Sequence, residues 1–402
     1  CLQSQGSEKV LDVFYLIDES GSLQETDPKD DRAEILSSNL TQLASFRKGV
    51  TVNYSVAFFA QDYSLWKPWS TVNPASILTD ARKLDTEVRK RDSGQLTNWL
   101  VGVNGAINEL NAQHARTGGC STLVWLTDGG IQLSTPKKTG AAVVELCQNR
   151  FDVLRKNGVT VLGVLLKNDE ALNKLSPTEK EYQLTSMSFM RPMVEGTGTT
   201  SEGSTLTCGK YPLPKNYRQG ALFVAKDPKD LAFEFLKLPP QLEGCKATGN
   251  LNSGSGQFNI ENGISDFQIV TTSSSWKLTN PKGKEVNNQS EEAKVLDSAQ
   301  AAQIRISTTN SGRGKWNFAS QGGNSELYLC SGLDIVIDKG VNPIAGRPGI
   351  LSGKVVYQVS GQEADLSVYD KNHQIKVEQI GSNKTGEAQE AEQTPTGKWV
   401  VR

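Results

Sequence analysis

The chain has 402 residues with 43 basic and 44 acidic side chains, close to neutral overall. That length exceeds what a single core covers, so two or three domains are expected; the balanced charge excludes the basic field of a nucleic-acid or anionic-membrane binder. With only His114 and His373, no C-x-x-C pair and no apolar run of membrane-spanning length, a His-rich zinc centre and membrane insertion by this chain are excluded as well.

Val10 to Ile17 reads as a buried strand, and it ends in Asp18-Glu19-Ser20-Gly21-Ser22. That loop carries one carboxylate and two hydroxyls, hard oxygen donors that suit Mg²⁺, Mn²⁺ or Ca²⁺. Asp30 and Asp31 sit where acidic groups favour a helix start, and Leu36, Leu40 and Leu43 follow at helical spacing. Val52, Tyr54, Val56 and Phe58 alternate as a strand, and Ser64 to Val72 can return as an antiparallel edge strand. Next comes a Gly-led loop, Gly94-Gln95-Leu96-Thr97-Asn98-Trp99, then an amphipathic helix marked by Leu100, Val103, Ile107 and Leu110. A second buried run, Leu123 to Thr127, ends in Asp128-Gly129-Gly130. Val144, Cys147, Phe151 and Leu154 repeat the helical rhythm, Val159 to Leu166 is another strand, and Ala221 to Ala225 is the last, before an Asp227-Pro228 helix start. Such alternation predicts a doubly wound α/β fold with a mostly parallel six-stranded sheet. Asp18 and Asp128 then lie at the carboxyl ends of strands, where ligands bind in open sheets.

The set D-x-S-x-S, then Thr97, then T-D-G resembles the metal-ion-dependent adhesion site of von Willebrand factor A (integrin I-like) domains, over roughly the first three-fifths of the chain. The resemblance implies that Ser20, Ser22 and Thr97 meet a divalent cation through hydroxyls, with Asp18 and Asp128 acting directly or through water. It also implies that the strands bearing the two aspartates are neighbours and that Glu19 points away. Every motif position is filled. Thr26 to Pro28, with Arg32, is further similar to secreted or cell-surface A-domain proteins of Gram-positive, actinobacterial type.

The reading divides the chain into an A domain at 1–245, a β-sandwich module at 246–342 and a second, truncated β module at 343–402. Within the first part, the pattern fails at about 167–220, which reads as a long insertion emerging on the metal rim. Met187, Phe189, Met190, Pro192 and Met193 within it are read as a small local core, with an adaptable binding surface as the alternative. Past Cys245, short alternating strands stand between Asn, Gly and Ser turns, including Phe267 to Thr272, Gln303 to Ser307, Trp316 to Ala319, Leu327 to Ile337, Val355 to Val359 and Leu366 to Tyr369. The modules meet near Pro343 to Pro348. Gly314-Lys315-Trp316 recurs as Gly397-Lys398-Trp399, and the abrupt stop after it leads to the expectation that the natural protein continues beyond Arg402.

Six cysteines lean towards disulfides and an oxidising compartment. Rim positions suggest Cys147 with Cys208. Cys1 and Cys245 flank the α/β part, which leaves Cys120 with Cys330. Asn39 and Asn53 begin two of the four glycosylation triplets in the chain. No nucleophile has a paired base and no dinucleotide or phosphate-loop fingerprint occurs, so no enzyme activity and no catalytic residues are expected. The expected function is extracellular or cell-surface: an exported adhesion or protein-binding module, anchored by a segment absent here. Its Mg²⁺ (Mn²⁺ or Ca²⁺ as alternatives) captures an Asp or Glu carboxylate of a partner protein. A structural or stalk subunit, in which the metal only stabilises the fold, is the alternative.

Overall fold

The computed structural model describes residues 9–45, 50–91, 94–196, 208, 220–226, 228–243, 245–251, 256–261, 264–273, 275–287, 289–290, 293–297, 302–308, 313–331, 333–338, 351–357, 363, 376–377, 389–390, 392–393 and 398–401. The chain divides into two compact units, Cys1–Pro239 and Pro240–Arg402.

The first unit contains six strands, β1 (Lys9–Asp18), β2 (Val50–Phe59), β3 (Tyr63–Thr71), β4 (Cys120–Thr127), β5 (Thr160–Leu166) and β6 (Ala221–Ala225). They form one sheet in the order β3-β2-β1-β4-β5-β6. All neighbours are parallel except β3, which returns antiparallel along the edge of β2. The six-stranded, mostly parallel sheet is the fold class expected from the alternating pattern. Strand order reverses at β1, because β2 is laid down on one side of it and β4 on the other. The ends of β1 and β4 therefore face the crevice where such sheets hold ligands.

Among the described residues, these strands are connected and flanked by the α-helices α1 (Leu23–Thr26), α2 (Asp31–Gln42), α3 (Ile77–Val88), α4 (Trp99–Thr117), α5 (Pro136–Glu145), α6 (Phe151–Lys156), α7 (Asp169–Lys174), α8 (Pro177–Ser188), α9 (Met190–Glu195) and α10 (Pro228–Leu236). Alternation along β1 sorts its side chains between the two faces. Phe14 and Leu16 join the core under α4, α6 and α9, together with Trp99, Trp125, Phe151 and Val161. On the other face, Tyr15 donates a hydrogen bond to Asn39 of α2, whose amide is in turn bonded to the carbonyl of Phe235 in α10. Asn39 and Asn53 are thus buried and hydrogen-bonded, so neither is a surface glycosylation acceptor.

The stretch read as patternless contains α7, α8 and α9. Asn168 caps α7, and Ser176 with Glu179 forms a reciprocal capping box ahead of α8. α7 and α9, of 6 residues each, are too short to show a clear period, and the 12 residues of α8 bury only Ser186 and Met187. Met187, Met190 and Met193 are buried in the main core, not in a separate local one, and they present no binding surface. The loop positions 197–207 and 209–219 lie outside the described residues.

Cys147–Cys208 is a disulfide, as the rim positions suggested. The other two suggested pairings are corrected. Cys245 is bonded to Cys330, so neither Cys1–Cys245 nor Cys120–Cys330 forms; Cys120 is also disulfide-bonded. Flanking positions misled because Cys245 opens the β unit instead of closing the α/β unit. Its partner, Cys330, lies on the strand that pairs directly with the one following Cys245. The double substitution Cys147→Ala/Cys208→Ala should lower stability by roughly 2–4 kcal/mol, which denaturant unfolding would measure. An unchanged midpoint would show that the bond constrains nothing.

In the second unit, β7 (Lys246–Asn250), β8 (Gly256–Ile260), β9 (Ile264–Thr271), β10 (Trp276–Thr279), β11 (Glu285–Val286), β12 (Ala293–Asp297), β13 (Ala302–Ser307), β14 (Gly314–Ser320) and β15 (Ser325–Ser331) make two antiparallel sheets. Their orders are β11-β10-β14-β8 and β12-β13-β9-β15-β7. Inward residues of both, among them Phe267, Ile269, Leu278, Ile304, Trp316 and Phe318, share one core, as in a β-sandwich. Beyond it, β16 (Leu333–Ile337) and β17 (Leu351–Tyr357) pair, β18 (Lys376–Val377) pairs with β19 (Gln389–Glu390), and β20 (Glu392–Gln393) and β21 (Lys398–Val401) complete the sheet of β17. The suggested module junction at Pro343 to Pro348 and the strand at Leu366 to Tyr369 lie outside the described residues.

Candidate metal centre

Asp18 closes β1, and its carboxylate is held from two directions. Ser20 N–H donates to Oδ1 at 2.8 Å, and Thr127 Oγ1, at the end of β4, donates to Oδ2 at 2.5 Å. Asp128, the next residue after β4, is held by the opposite loop. Ser22 Oγ donates to its Oδ1 at 2.9 Å and Thr26 Oγ1 donates to its Oδ2. Ser20 Oγ and Ser22 Oγ are 3.1 Å apart, which joins the two halves into one hydrogen-bonded chain. Four of the five residues singled out in the sequence, Asp18, Ser20, Ser22 and Asp128, therefore meet in one cluster.

Thr97 reaches the same rim through its backbone. It exchanges two hydrogen bonds with Gln132, in the loop that begins at Asp128, while Gly94 pairs with Ser20. Its hydroxyl has no hydrogen-bond partner among the described residues, although the residue is only 4 % exposed. The next turn is anchored firmly. Asn98 caps α4 by accepting from Val101 N–H, and the buried Trp99 packs edge-on against Trp125 of β4 at 4.9 Å between centroids. Glu19 is turned away from the cluster into a 2.8 Å ion pair with Arg91, as the resemblance implied.

Close approach of backbones explains two glycines. A methyl at Gly94 would stand 2.1 Å from Ala60 Cβ and 2.9 Å from the Glu19 carbonyl oxygen; one at Gly130 would stand 2.2 Å from Ser186 Cβ on α8. Gly94→Ala should cost about 1–3 kcal/mol through overpacking and, by displacing Ser20, weaken cation binding. Melting curves and a Mg²⁺ titration of the variant check this; an unshifted melt with wild-type Mg²⁺ affinity would contradict it.

Electrostatically the cluster lacks positive charge. Asp18 and Asp128 are both 1 % exposed. Burial pushes the Asp18 carboxyl above its ordinary range. Burial, then the nearby charge of Asp18, pushes Asp128 up to about 7. Arg32 is the cation that offsets both, and its guanidinium is already bonded to Asp27 at 2.8 Å and Asp30 at 2.9 Å. Two buried, mutually repelling carboxylates among hydroxyls, with every donor an oxygen, fit a hard divalent cation. Asp18, Ser20, Ser22, Thr97 and Asp128 are the side chains that would hold it. Only Ser22 of these is exposed, so the cluster opens to solvent on its side.

Sequence reasoning missed Thr26 and Thr127 as carboxylate donors, though each directly precedes an aspartate. Gln183 of α8 was missed too; its Oε1 accepts from Gly130 N–H at 2.9 Å. Elsewhere, Glu243, Cys245 and Cys330 bring one carboxylate and two sulfurs together, but the sulfurs are spent in a disulfide and offer no thiolate.

No protein-family model matches the chain, and no curated protein sequence matches it. Solved structures do resemble it. A von Willebrand factor type A protein from Catenulispora acidiphila is 11% identical, with a TM-score of 0.37, and the match covers 87% of this chain and 62% of that one. The PilB minor pilin from Streptococcus sanguinis is 11% identical, TM-score 0.39, with 60% and 62% covered. Proximal thread matrix protein 1 from the mussel byssus, solved with a zinc-occupied adhesion-site motif, is 13% identical, TM-score 0.34, with 61% and 51% covered. The chain thus spans less than two thirds of the length of each.

Proposed function

We propose that the chain is an extracellular, metal-dependent protein-binding or adhesion module that takes a partner's Asp or Glu carboxylate at the Asp18–Asp128 cluster. The observation that carries this reading is the convergence of two buried carboxylates with Ser20 and Ser22, Thr97 being bonded by its backbone to the same rim, and Ser22 the exposed member. A bound cation supplies an electrophilic corner for one more anionic oxygen. Asp18 and Asp128 supply the charge that retains the ion, Ser20, Ser22 and Thr97 supply neutral oxygens, and Thr26 and Thr127 fix the carboxylate orientations. A small, partly hydrated set of this kind favours Mg²⁺, with Mn²⁺ close to it, over Ca²⁺, which wants more ligands.

The disulfides support an extracellular or cell-surface setting, which we take to be of Gram-positive, actinobacterial type; no helix among the described residues is long and apolar enough to cross a membrane. We place the β modules at 246–342 and 343–402 as a spacer for the A domain at 1–245, without enzyme activity. A second reading is favoured by the near-complete burial of Asp18 and Asp128: the ion is structural and the chain a stalk subunit. A Mg²⁺-dependent pull-down against surface proteins, with Asp18→Ala alongside, separates them. The adhesin reading expects a folded variant that captures nothing. A variant whose melting point collapses to that of the chelated protein supports the structural ion.

A further inference from the structure

Resting on that reading of the site, we infer that Gln183 is a specificity residue: its carboxamide N–H₂ takes the second oxygen of the carboxylate whose first oxygen meets the cation. Gln183 stands on α8, outside all three motif loops, yet it reaches the cluster. Its Oε1 accepts from Gly130 N–H at 2.9 Å, which fixes the amide orientation, because a backbone N–H cannot face Nε2. A methyl placed on Gly129 would lie 3.7 Å from that Oε1 and 3.8 Å from Ser22 Oγ. The carboxamide and the Ser22 hydroxyl therefore flank the same glycine. Ser22 is the exposed member of the cluster, so Gln183 borders the side from which a ligand arrives.

The Nε2 donors have no acceptor among the described residues, and Gln183 is half-buried, not sealed. A carboxylate, acceptor-only and two-pronged, satisfies a cation and an N–H₂ at once. A carboxamide ligand turning its oxygen to the cation presents N–H₂ to N–H₂, a donor against a donor, and is rejected. The pattern is a local device for telling Asp and Glu from Asn and Gln.

The test uses the full chain loaded with Mn²⁺, whose bound water is followed by proton relaxation while acetate or fluoride displaces it. Fluoride binds the ion but cannot make the second contact. In Gln183→Met, Mn²⁺ affinity and the fluoride midpoint should stay within about twofold of wild type, while the acetate midpoint rises about tenfold, the loss of one charge-assisted hydrogen bond. Gln183→Glu keeps the acceptor for Gly130 N–H and so guards against a displaced loop; there acetate should lose more than fluoride. Acetate and fluoride midpoints that move together in both variants, or do not move, overturn the inference. An Asp18→Ala protein that binds Mn²⁺ like wild type would instead overturn the metal site itself.

Discussion

With divalent cations chelated, the protein should lose stability as pH rises from about 4 to about 7, and saturating Mg²⁺ should restore it. The sign follows from the two buried aspartates. Asp128 is pushed up to about 7, first by burial and then by Asp18, from an ordinary value of 3.8, and Asp18 moves in the same direction, mainly through burial. A carboxyl whose folded pKa exceeds its unfolded one contributes stability that is complete below the unfolded value and is lost as pH climbs through the folded value. The loss for Asp128 alone is on the order of a few kcal/mol, given about 1.4 kcal/mol per pKa step. A cation removes the cause by supplying the opposite charge, so the gap between the Mg²⁺ and chelated forms should widen across the same window. Calorimetric melts at pH 4 to 8, with and without chelator, measure it. A chelated protein that grows more stable over that range would contradict the charge-starved cluster.

Asp128→Asn should then split stability from binding. The substitution removes one of two repelling charges while keeping an oxygen that accepts from Ser22 or Thr26. At pH 7.5 in chelator, the variant should be more stable than wild type by a few kcal/mol. Its Mg²⁺ affinity should fall at least about a hundredfold, since one of the two anionic donors is gone. Melting curves and isothermal titration on the same preparation read both. A variant no more stable than wild type in chelator, or one that still binds Mg²⁺ well, would show that Asp128 is not the strained carboxylate described above.

The sheet was legible because each strand is an apolar run closed by a polar loop, and because Asp18-x-Ser20-x-Ser22 and Asp128 sit where such runs stop, with Thr97 just ahead of a helix. Local motifs survive in one dimension. What failed depends on three-dimensional neighbours. Cys245 has Cys330 across the β unit, which no spacing announces. Helices α7 and α9 are too short to show a period and α8 buries only Ser186 and Met187, so Met187, Met190 and Met193 looked like a separate cluster when they complete the main core. Gln183 carried no signal, because its role comes from where α8 lies against Gly130, not from the residues around it in sequence.

The hydroxyls at the cluster are exchanged between strands. Thr127 beside Asp128 serves Asp18, while Thr26 and Ser22 downstream of Asp18 serve Asp128. Each loop therefore holds the acid of one and the support of the other, across sequence separations of 102 to 109 residues. Drift in either loop is felt at once in its counterpart. The two stretches work as a single unit, and swapping one of them alone into another chain would transplant half a lock.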